Sequence, residues 1–461
     1  MLKPVLIKRI LNTLARSGDD FSELFIQKRK LNNLRIEDNK IEKSNSGFEL
    51  GCGLRLIHND STFYAYVDSI EEQKILNAAK VLSAAINDNS RINVLDLTDR
   101  KSSYHPSVTE HPSRIPQEIK KEYLSKINKS VRDYSSSIVQ VTANLSDMEE
   151  KILIANSDGF LCNDNITKVF VSITAVAKKN GEIRTGYRSV AKTSGYEIFK
   201  DGNVLSSANE AAKTAVSMLD AINAPVGSLP VVLGPAFGGV IFHEACGHGL
   251  EADAIIKDAS VFKGKLGKEI ANKNISAVDD PTIPQHWGSY SFDSEGFPSQ
   301  SNVLIEDGVL TGYIYDYRTA KKLKARQTGN GRRQSYRFIP LPRMSNTYIC
   351  SGKDDPGDII SSVNEGIFAK EFAGGQVNPA TGDFVFGVSE GYIIRDGKIC
   401  SPIKGATLIG NGPEILKKIE AIGNNLDFAP GFCGKAGQSI SNEVGQPTLL
   451  VRSITVGGAK N

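Results

Sequence analysis

The chain has 461 residues, 40% of them apolar and 23% charged, and its 55 basic against 52 acidic side chains leave a net charge of +3. That length exceeds one hydrophobic core, so two or three packed units are expected and a single small module is excluded. A disordered chain or fibrous repeat does not fit this composition, and so small a net charge gives no argument for a polyanionic partner.

In chain order, MLKPVLIKRILNTLARSGDD reads as an amphipathic first helix, because Lys3, Lys8 and Arg9 interrupt any secretory-type apolar core. LFIQKR at Leu24, LRIEDNKI, FELGCGLRLIH and TFYAYV then alternate apolar and polar residues, which predicts separate strands of an antiparallel sheet. Helical spacing from Ile70 predicts a helix over that sheet, and Asn87 to Gln117, with Pro106, Pro112 and Pro116, reads as a loop. The helix EIKKEYLSKINKSVRDY leads into strands SIVQVTANL, KILIANSDG, ITKVFVSITAVAKK and IRTGYRSVAKT, with a tight turn at Asn180-Gly181. NVLSSANEAAKTAVSMLDAI closes this half as a helix. A boundary near Ala224 to Gly227 divides the chain into 1–225 and 226–461. The uncharged run Ala221 to Phe242 is broken repeatedly by Pro and Gly, so it reads as buried and not membrane-spanning. Beyond it come many glycines, short strands and hairpin-like turns in IEDGVL and IRDGKI, with IEDNKI a weaker echo. The fold class is therefore α+β: an N-terminal antiparallel sheet with helices and a β-rich C-terminal domain. Six scattered cysteines suit a reducing compartment, and the cytoplasm is expected.

The sharpest chemical feature is His243-Glu244-Ala245-Cys246-Gly247-His248, which holds two of only six histidines in an apolar setting. Zinc peptidase helices space their histidines by four, with an intervening Glu placed to work on water. Here the spacing is five, which on a regular helix separates the side chains by about 140°. A locally irregular helix at Cys246 to His248 is therefore expected, with Gly247 the easiest place for a bulge or break. A pair of histidines that merely caps a helix is the plain alternative, but burying three polar side chains is unfavourable unless something coordinates them. A catalytic zinc takes three protein ligands. Candidates for the third are Glu251, with Asp253 close by, and Cys433 in the glycine-framed APGFCGKAGQ, where Lys435 is expected to favour the thiolate.

The sequence HEACGHGLEAD at His243 resembles the HExxxH signature of the TldD/PmbA family of metallopeptidases, in its metal-bearing TldD branch. The resemblance continues through RRQSYRFIPLPRMSNTYI, GGQVNPATGDFVFGVSEGYII, KGATLIGNG, CGKAGQ and GQPTLLV, and more loosely through LRIEDNKIEKSNSGFELGCGLRLI. It implies a barrel-like C-terminal domain carrying the motif helix, and metal ligands at His243, His248 and Cys433. It further implies hydrolysis of short or unfolded peptides and a closed dimer, formed with itself or with a metal-free PmbA/TldE-like paralogue. On ligand chemistry, the metal acidifies its water and Glu244 takes the proton. Zinc is expected, with Fe(II) acceptable to a thiolate-bearing site. Glu251 is expected to orient His248 through its second ring nitrogen.

Two softer signals complete the reading. Gly374, Gly375, Gln376 and Asn378 are candidate substrate-binding positions, since glycine permits close approach of a peptide backbone and the amides can bond it. Between Asp316 and Asp354 only basic charges occur, including Arg318, Arg332, Arg333, Arg337, Arg343 and Lys353. A solvated loop or subunit contact is the favoured reading of this segment (318–353), with carboxylate capture or a nucleic-acid patch as alternatives. A non-catalytic partner of a peptidase complex is the other alternative for the whole chain.

Overall fold

The computed structural model describes residues 2–15, 21–86, 94–102 and 107–458. In the N-terminal half, β1 (Phe21–Glu37), β2 (Lys40–His58), β3 (Ser61–Val67), β4 (Ile138–Asn156), β5 (Phe160–Lys179) and β6 (Glu182–Lys192) form one sheet in the order β3-β2-β1-β4-β5-β6. All neighbours in that order are antiparallel, and the two-residue strand Thr98–Asp99 adds a short parallel pairing to β5.

The sequence predicted several short strands here, but the structure has a few long ones. LFIQKR and the first half of LRIEDNKI are one strand, β1, while the rest of LRIEDNKI is the turn and the start of β2; SIVQVTANL and the KILIAN stretch are likewise one strand. The polar residues between them, such as Lys28 to Asn33, broke the apolar alternation because the sheet continues into an arm whose β2 partner, Lys40 to Phe48, is exposed. The turns at Asp38-Asn39, Asn59-Asp60 and Asn180-Gly181 all have positive φ at both residues, the geometry that matches strand twist in a two-residue hairpin. Asp307-Gly308 and Asp396-Gly397 repeat it in the C-terminal half.

Helices α1 (Pro4–Leu14), α2 (Glu72–Ala84), α3 (Gln117–Tyr134) and α4 (Asn203–Ser217) cover one face of the sheet. The two-residue period of a strand decides which residues they bury. Leu24 and Ile26 of β1 join Ile10, Ile75 and Leu76 in one cluster, while Phe25 turns the other way and packs on Phe292 and Tyr336. Parts of the first predicted helix and of the predicted loop (16–20, 87–93 and 103–106) lie outside the described residues. The rest of that loop contains a single helical turn, Pro112–Arg114.

The strands of the C-terminal half that build the barrel and the site are β7 (Gly227–Leu233), β8 (Glu365–Asn378), β9 (Asp383–Arg395), β10 (Thr407–Asn411), β11 (Asp427–Lys435), β12 (Gln438–Gln446) and β13 (Leu449–Gly457). Five of them close a barrel: β8 pairs with β7, β7 with β13, β13 with β10, β10 with β9, and β9 returns to β8. The hairpin β11–β12 belongs to a second sheet, where β12 lies parallel to Asn346–Ile349. The short helix α5 (Val240–Ala245) packs Ile241, Phe242 and Ala245 into the same core as Leu233 and Leu449.

The uncharged run Ala221 to Phe242 is continuously covered only in its later part, although Ala221 and Ala224 are also buried. Ile222 is 50% and Val226 71% exposed, because this stretch crosses between the halves before β7 enters the barrel. Among the described residues, no helix is long and apolar enough to cross a membrane, and all six cysteines are free.

Buried charge ties the two halves together. Arg55 of β2 bonds Glu23 at 2.6 Å and Glu295 at 2.7 Å, and Arg333 also pairs with Glu23. This corrects the reading of the basic segment as a solvated loop. Arg332, Arg333 and Arg343 are internal, each at most 7% exposed, and Arg343 donates to the Cys433 carbonyl at 2.6 Å. Side chains so placed cannot lie along a nucleic-acid backbone, so these three arginines are lost to a nucleic-acid patch, while Lys321, Lys322, Lys324, Arg337 and Lys353 stay exposed. The Tyr317–Leu323 end of the segment is more open, with Lys322 3.2 Å from Asp60.

Candidate metal centre

Two elements from distant parts of the chain build the site. One is α5, whose start is pressed onto β12: a Cβ on Gly239 would lie 2.7 Å from the Gly445 carbonyl oxygen, so glycine permits the approach. The helix stops after Ala245. Cys246 departs to φ −126° and ψ −51°, and a 3₁₀ turn follows over Gly247–Leu250. The expected irregularity is thus a helix break and not a π-bulge. It lets histidines five apart face one point, with their ring centroids 5.0 Å apart. Gly247 is needed there because a Cβ would fall 2.3 Å from the Met344 sulfur.

The other element is β11. Cys433 is buried and faces the helix, and its sulfur lies 3.3 Å from Nε2 of His248. One donor atom each from His243, His248 and Cys433 gathers within 4.8 Å of the others. Ligands of a tetrahedral ion with bonds of about 2.0–2.3 Å sit about 3.3–3.8 Å apart, a range that holds the 3.3 Å between His248 and Cys433, and two imidazole nitrogens with a sulfur have the chemistry for Zn(II) or a similar ion. Glu244 is adjacent, its carboxylate 3.6 Å from the same Nε2, with its side chain 31% exposed toward the open side.

The trio is electrostatically prepared. Burial opposes the Cys433 thiolate, but His243, together with hydrogen bonds from both histidines, overcomes it and brings the thiol down to about 4. Burial likewise opposes a charged His248, yet the Glu251 carboxylate and the Cys433 sulfur hold it well above its usual range. Lys435 does not supply this effect. It reaches past the sulfur, on the same face of β11, to bond Glu251 at 2.8 Å and Asp253 at 2.6 Å.

Glu251 sits 2.9 Å from Nδ1 of His248, on the far side of the ring from the sulfur, so it is a partner of the ring and not a member of the trio. It also accepts from the Met344 amide at 3.3 Å. Burial raises this carboxyl, but Lys435 and His248 dominate and lower it strongly. Asp253 faces Lys435 in the same way. Sequence reasoning missed Asn442, whose amide lies 3.3 Å from Nδ1 of His243, and the Arg343 contact to the Cys433 carbonyl. No spacing signal marks either residue, although Asn442 stands nine positions after Cys433 and the Gly437 turn between them is visible as a hairpin.

Gly374, Gly375, Gln376 and Asn378 are not part of this cluster. They form the end of β8, paired with Asp383 to Gly387 of β9, while the pairing of β8 with β7 is confined to Ile367 to Ala369. Asn378 caps the turn that joins β8 to β9, accepting from the Ala380 and Gly382 amides.

Comparison with known proteins gives consistent results. Three family models match in turn: PmbA/TldA metallopeptidase domain 1 over residues 22–86, the central domain over 110–219 and the C-terminal domain over 226–458. A Haemophilus influenzae protein named metalloprotease TldD homolog is 37% identical over 97% of this chain and 95% of its own. A Saccharolobus solfataricus protein named zinc metalloprotease TldD homolog is 27% identical, covering 96% and 97%. The crystal structure of TldE from Thermococcus kodakarensis superposes with a TM-score of 0.79 at 20% identity, covering 98% of this chain and 99% of that one, and so shares the fold.

Proposed function

Since the chain belongs to the PmbA/TldD family and is a metallopeptidase, we propose that it is a zinc enzyme which hydrolyses short or unfolded peptides, with His243, His248 and Cys433 as ligands and Glu244 as general base. One observation carries this reading: two imidazole nitrogens and a sulfur gathered within 4.8 Å, with a carboxylate beside them. When bound, the ion supplies Lewis acidity that makes water a nucleophile near neutral pH. Glu244 takes the proton of the attacking water as oxygen adds to the peptide carbonyl. It then passes that proton to the departing amine as the C–N bond breaks. Glu251, fixed by Lys435 and the Met344 amide, keeps the proton of His248 on Nδ1 and so leaves Nε2 free to ligate.

Zinc is favoured over iron by the name of the Saccharolobus relative and by the mixed nitrogen and sulfur donor set. The peptide-docking role of Gly374 to Asn378 has in its support an edge of β8 with which, among the described residues, no strand pairs there. Pairing, with a second copy or with a TldE-like chain, is supported by the shared fold of TldE, and light scattering of the purified protein tests it. Free thiols support a cytoplasmic setting.

The decisive experiment is metal analysis beside a peptide-library digest for two variants. Glu244→Gln is expected to retain metal and abolish cleavage, whereas Cys433→Ser is expected to lose metal. Undiminished cleavage by Glu244→Gln would overturn the assignment, and the absence of metal-dependent cleavage in the unmodified protein would favour the non-catalytic alternative.

A further inference from the structure

The face of the N-terminal sheet that the helices leave uncovered does not close tightly on the C-terminal half. A cavity of about 510 Å³ remains between them, within the range of small-molecule sites. Phe25, Phe170, Trp287 and Phe432 line it as an aromatic wall, and Trp287 stands 5.6 Å, centroid to centroid, from both Phe170 and Phe432.

Two cations open onto this cavity, Lys168 of β5 and Arg332, each 7% exposed. They converge on one residue of β12. Lys168 donates to the Ser441 hydroxyl and, at 2.6 Å, to the Trp287 carbonyl, while Arg332 donates to the Ser441 carbonyl at 2.7 Å and to that of Met344. Among the described residues, neither has a carboxylate within ion-pair distance. Their neighbours on the same cavity do: Arg29 lies 2.8 Å from Glu150, and Arg333 pairs with Glu23.

Buried charge is tolerated when a counter-charge meets it. Here two like charges share neutral acceptors, and burial together with Arg332 lowers the Lys168 ammonium to about 7. A single anion placed between them would satisfy both. The acidic Glu150 and Asp293 on the same lining disfavour a multiply charged ligand, and the aromatic wall favours an apolar group attached to the anion.

We propose that this cavity binds a carboxylate borne on an apolar residue, the free C-terminal end of a peptide. The hairpin β11–β12 is its common wall with the metal centre. Phe432 and Ser441 line the cavity, whereas the next residues along the two strands, Cys433 and Asn442, contact the histidines. The cavity is therefore an anchoring site one hairpin away from the trio. The link to hydrolysis rests on the peptidase reading above, but the binding does not.

Trp287 is the single tryptophan of the chain, so its fluorescence reports cavity occupancy in metal-free, full-length protein. Titration with N-acetylphenylalanine is expected to change its emission saturably, and N-acetylphenylalaninamide to bind about ten-fold more weakly or worse, the loss of a charge-assisted contact. Lys168→Met is expected to erase that preference and Lys168→Arg to keep it, each titrated at a temperature where far-UV circular dichroism matches the wild-type spectrum. Equal titration by acid and amide, an unchanged preference in Lys168→Met, or inorganic phosphate binding as tightly as the acid would overturn the proposal. In the cleavage assay, amidating a substrate's C-terminus is expected to raise KM and leave kcat, as for a contact equal in ground and transition states. A flat Trp287 titration with metal-dependent cleavage intact sinks only the anchoring site, whereas a selective titration without cleavage sinks only the peptidase reading.

Discussion

Replacing Glu251 with Gln tests how the site is held in register, because it alters charge while nearly preserving shape. The carboxylate is 1% exposed and meets three groups: Lys435, the Nδ1 side of His248 and the Met344 amide. A glutamine cannot satisfy all three. If its oxygen takes the Oε2 position it faces both His248 and Lys435, and its NH₂ is turned onto the Met344 N–H, donor against donor. If its NH₂ faces His248, Nδ1 must accept, the ring proton moves to Nε2, and that nitrogen can no longer bind metal. Loss of such a partner weakens metal affinity by about 10–100-fold, or about 1.4–2.8 kcal/mol. Lys435 keeps Asp253 at 2.6 Å, so the fold should lose about 2–3 kcal/mol, less than the full penalty of a stranded buried charge. Competition against a chromogenic chelator measures the first quantity and thermal unfolding of metal-free protein the second. Zinc affinity within about three-fold of wild type in a folded Glu251→Gln protein would refute this reasoning, since that lies outside the expected range for such a partner.

Further outcomes follow from the same geometry. Zinc uptake by the metal-free protein at pH 7 should release the His248 proton, while Cys433 is already a thiolate there; indicator-dye titration giving no proton release would contradict the charge pattern. The Cys433 thiol has a folded value of about 4 against an ordinary 9.0, so the stability it contributes to the metal-free protein is complete above pH 9 and is lost as pH falls through 4. Metal-free Cys433→Ala should therefore show a flatter rise of melting temperature over that window. His248, raised when folded, contributes in the opposite sense: its share is complete below about 6.5 and fades at higher pH, so the Cys433 difference is to be read against wild type. Arg333→Met strands part of the Glu23 charge and should cost about 3–5 kcal/mol in denaturant unfolding, whereas salt-dependent DNA binding should be absent in both proteins. Gly247→Ala should displace Met344 and with it the amide that Glu251 accepts, lowering metal content without removing a ligand.

The parts of this site legible in sequence were those where a rare residue type sat in an unsuitable setting. His243, Glu244 and His248 stood out as polar side chains in an apolar run, and their five-residue spacing by itself required the helix break seen at Cys246. Cys433 stood beside Glu251 as a candidate until family resemblance favoured it. What sequence could not show was the set of contacts made by folding. Arg343 belongs to a stretch that looks like ordinary surface charge, and Lys435 was expected to serve the thiolate; only the packing of β11 against the motif helix turns the first onto the Cys433 carbonyl and the second onto Glu251 and Asp253. The same holds for the long strands: Lys28 to Asn33 carry no apolar alternation because both faces of that arm are polar, so pattern reading stopped where hydrogen bonding did not.

The division of labour within β11 and β12 follows from strand geometry. Successive side chains point to opposite faces, so a hairpin that presents Cys433 and Asn442 to the histidines must present Phe432 and Ser441 elsewhere. Here that other face meets the N-terminal sheet, where Lys168 and Arg332 hold Ser441 from two sides. Arg332 also holds the Met344 carbonyl, while the Met344 amide bonds Glu251. Groups around the cavity and groups around the trio are thus joined by two short paths, one through a single β-strand and one through the backbone of a single residue, Met344. The N-terminal half, which contributes none of the three proposed ligands, is on this account part of the frame that sets their positions.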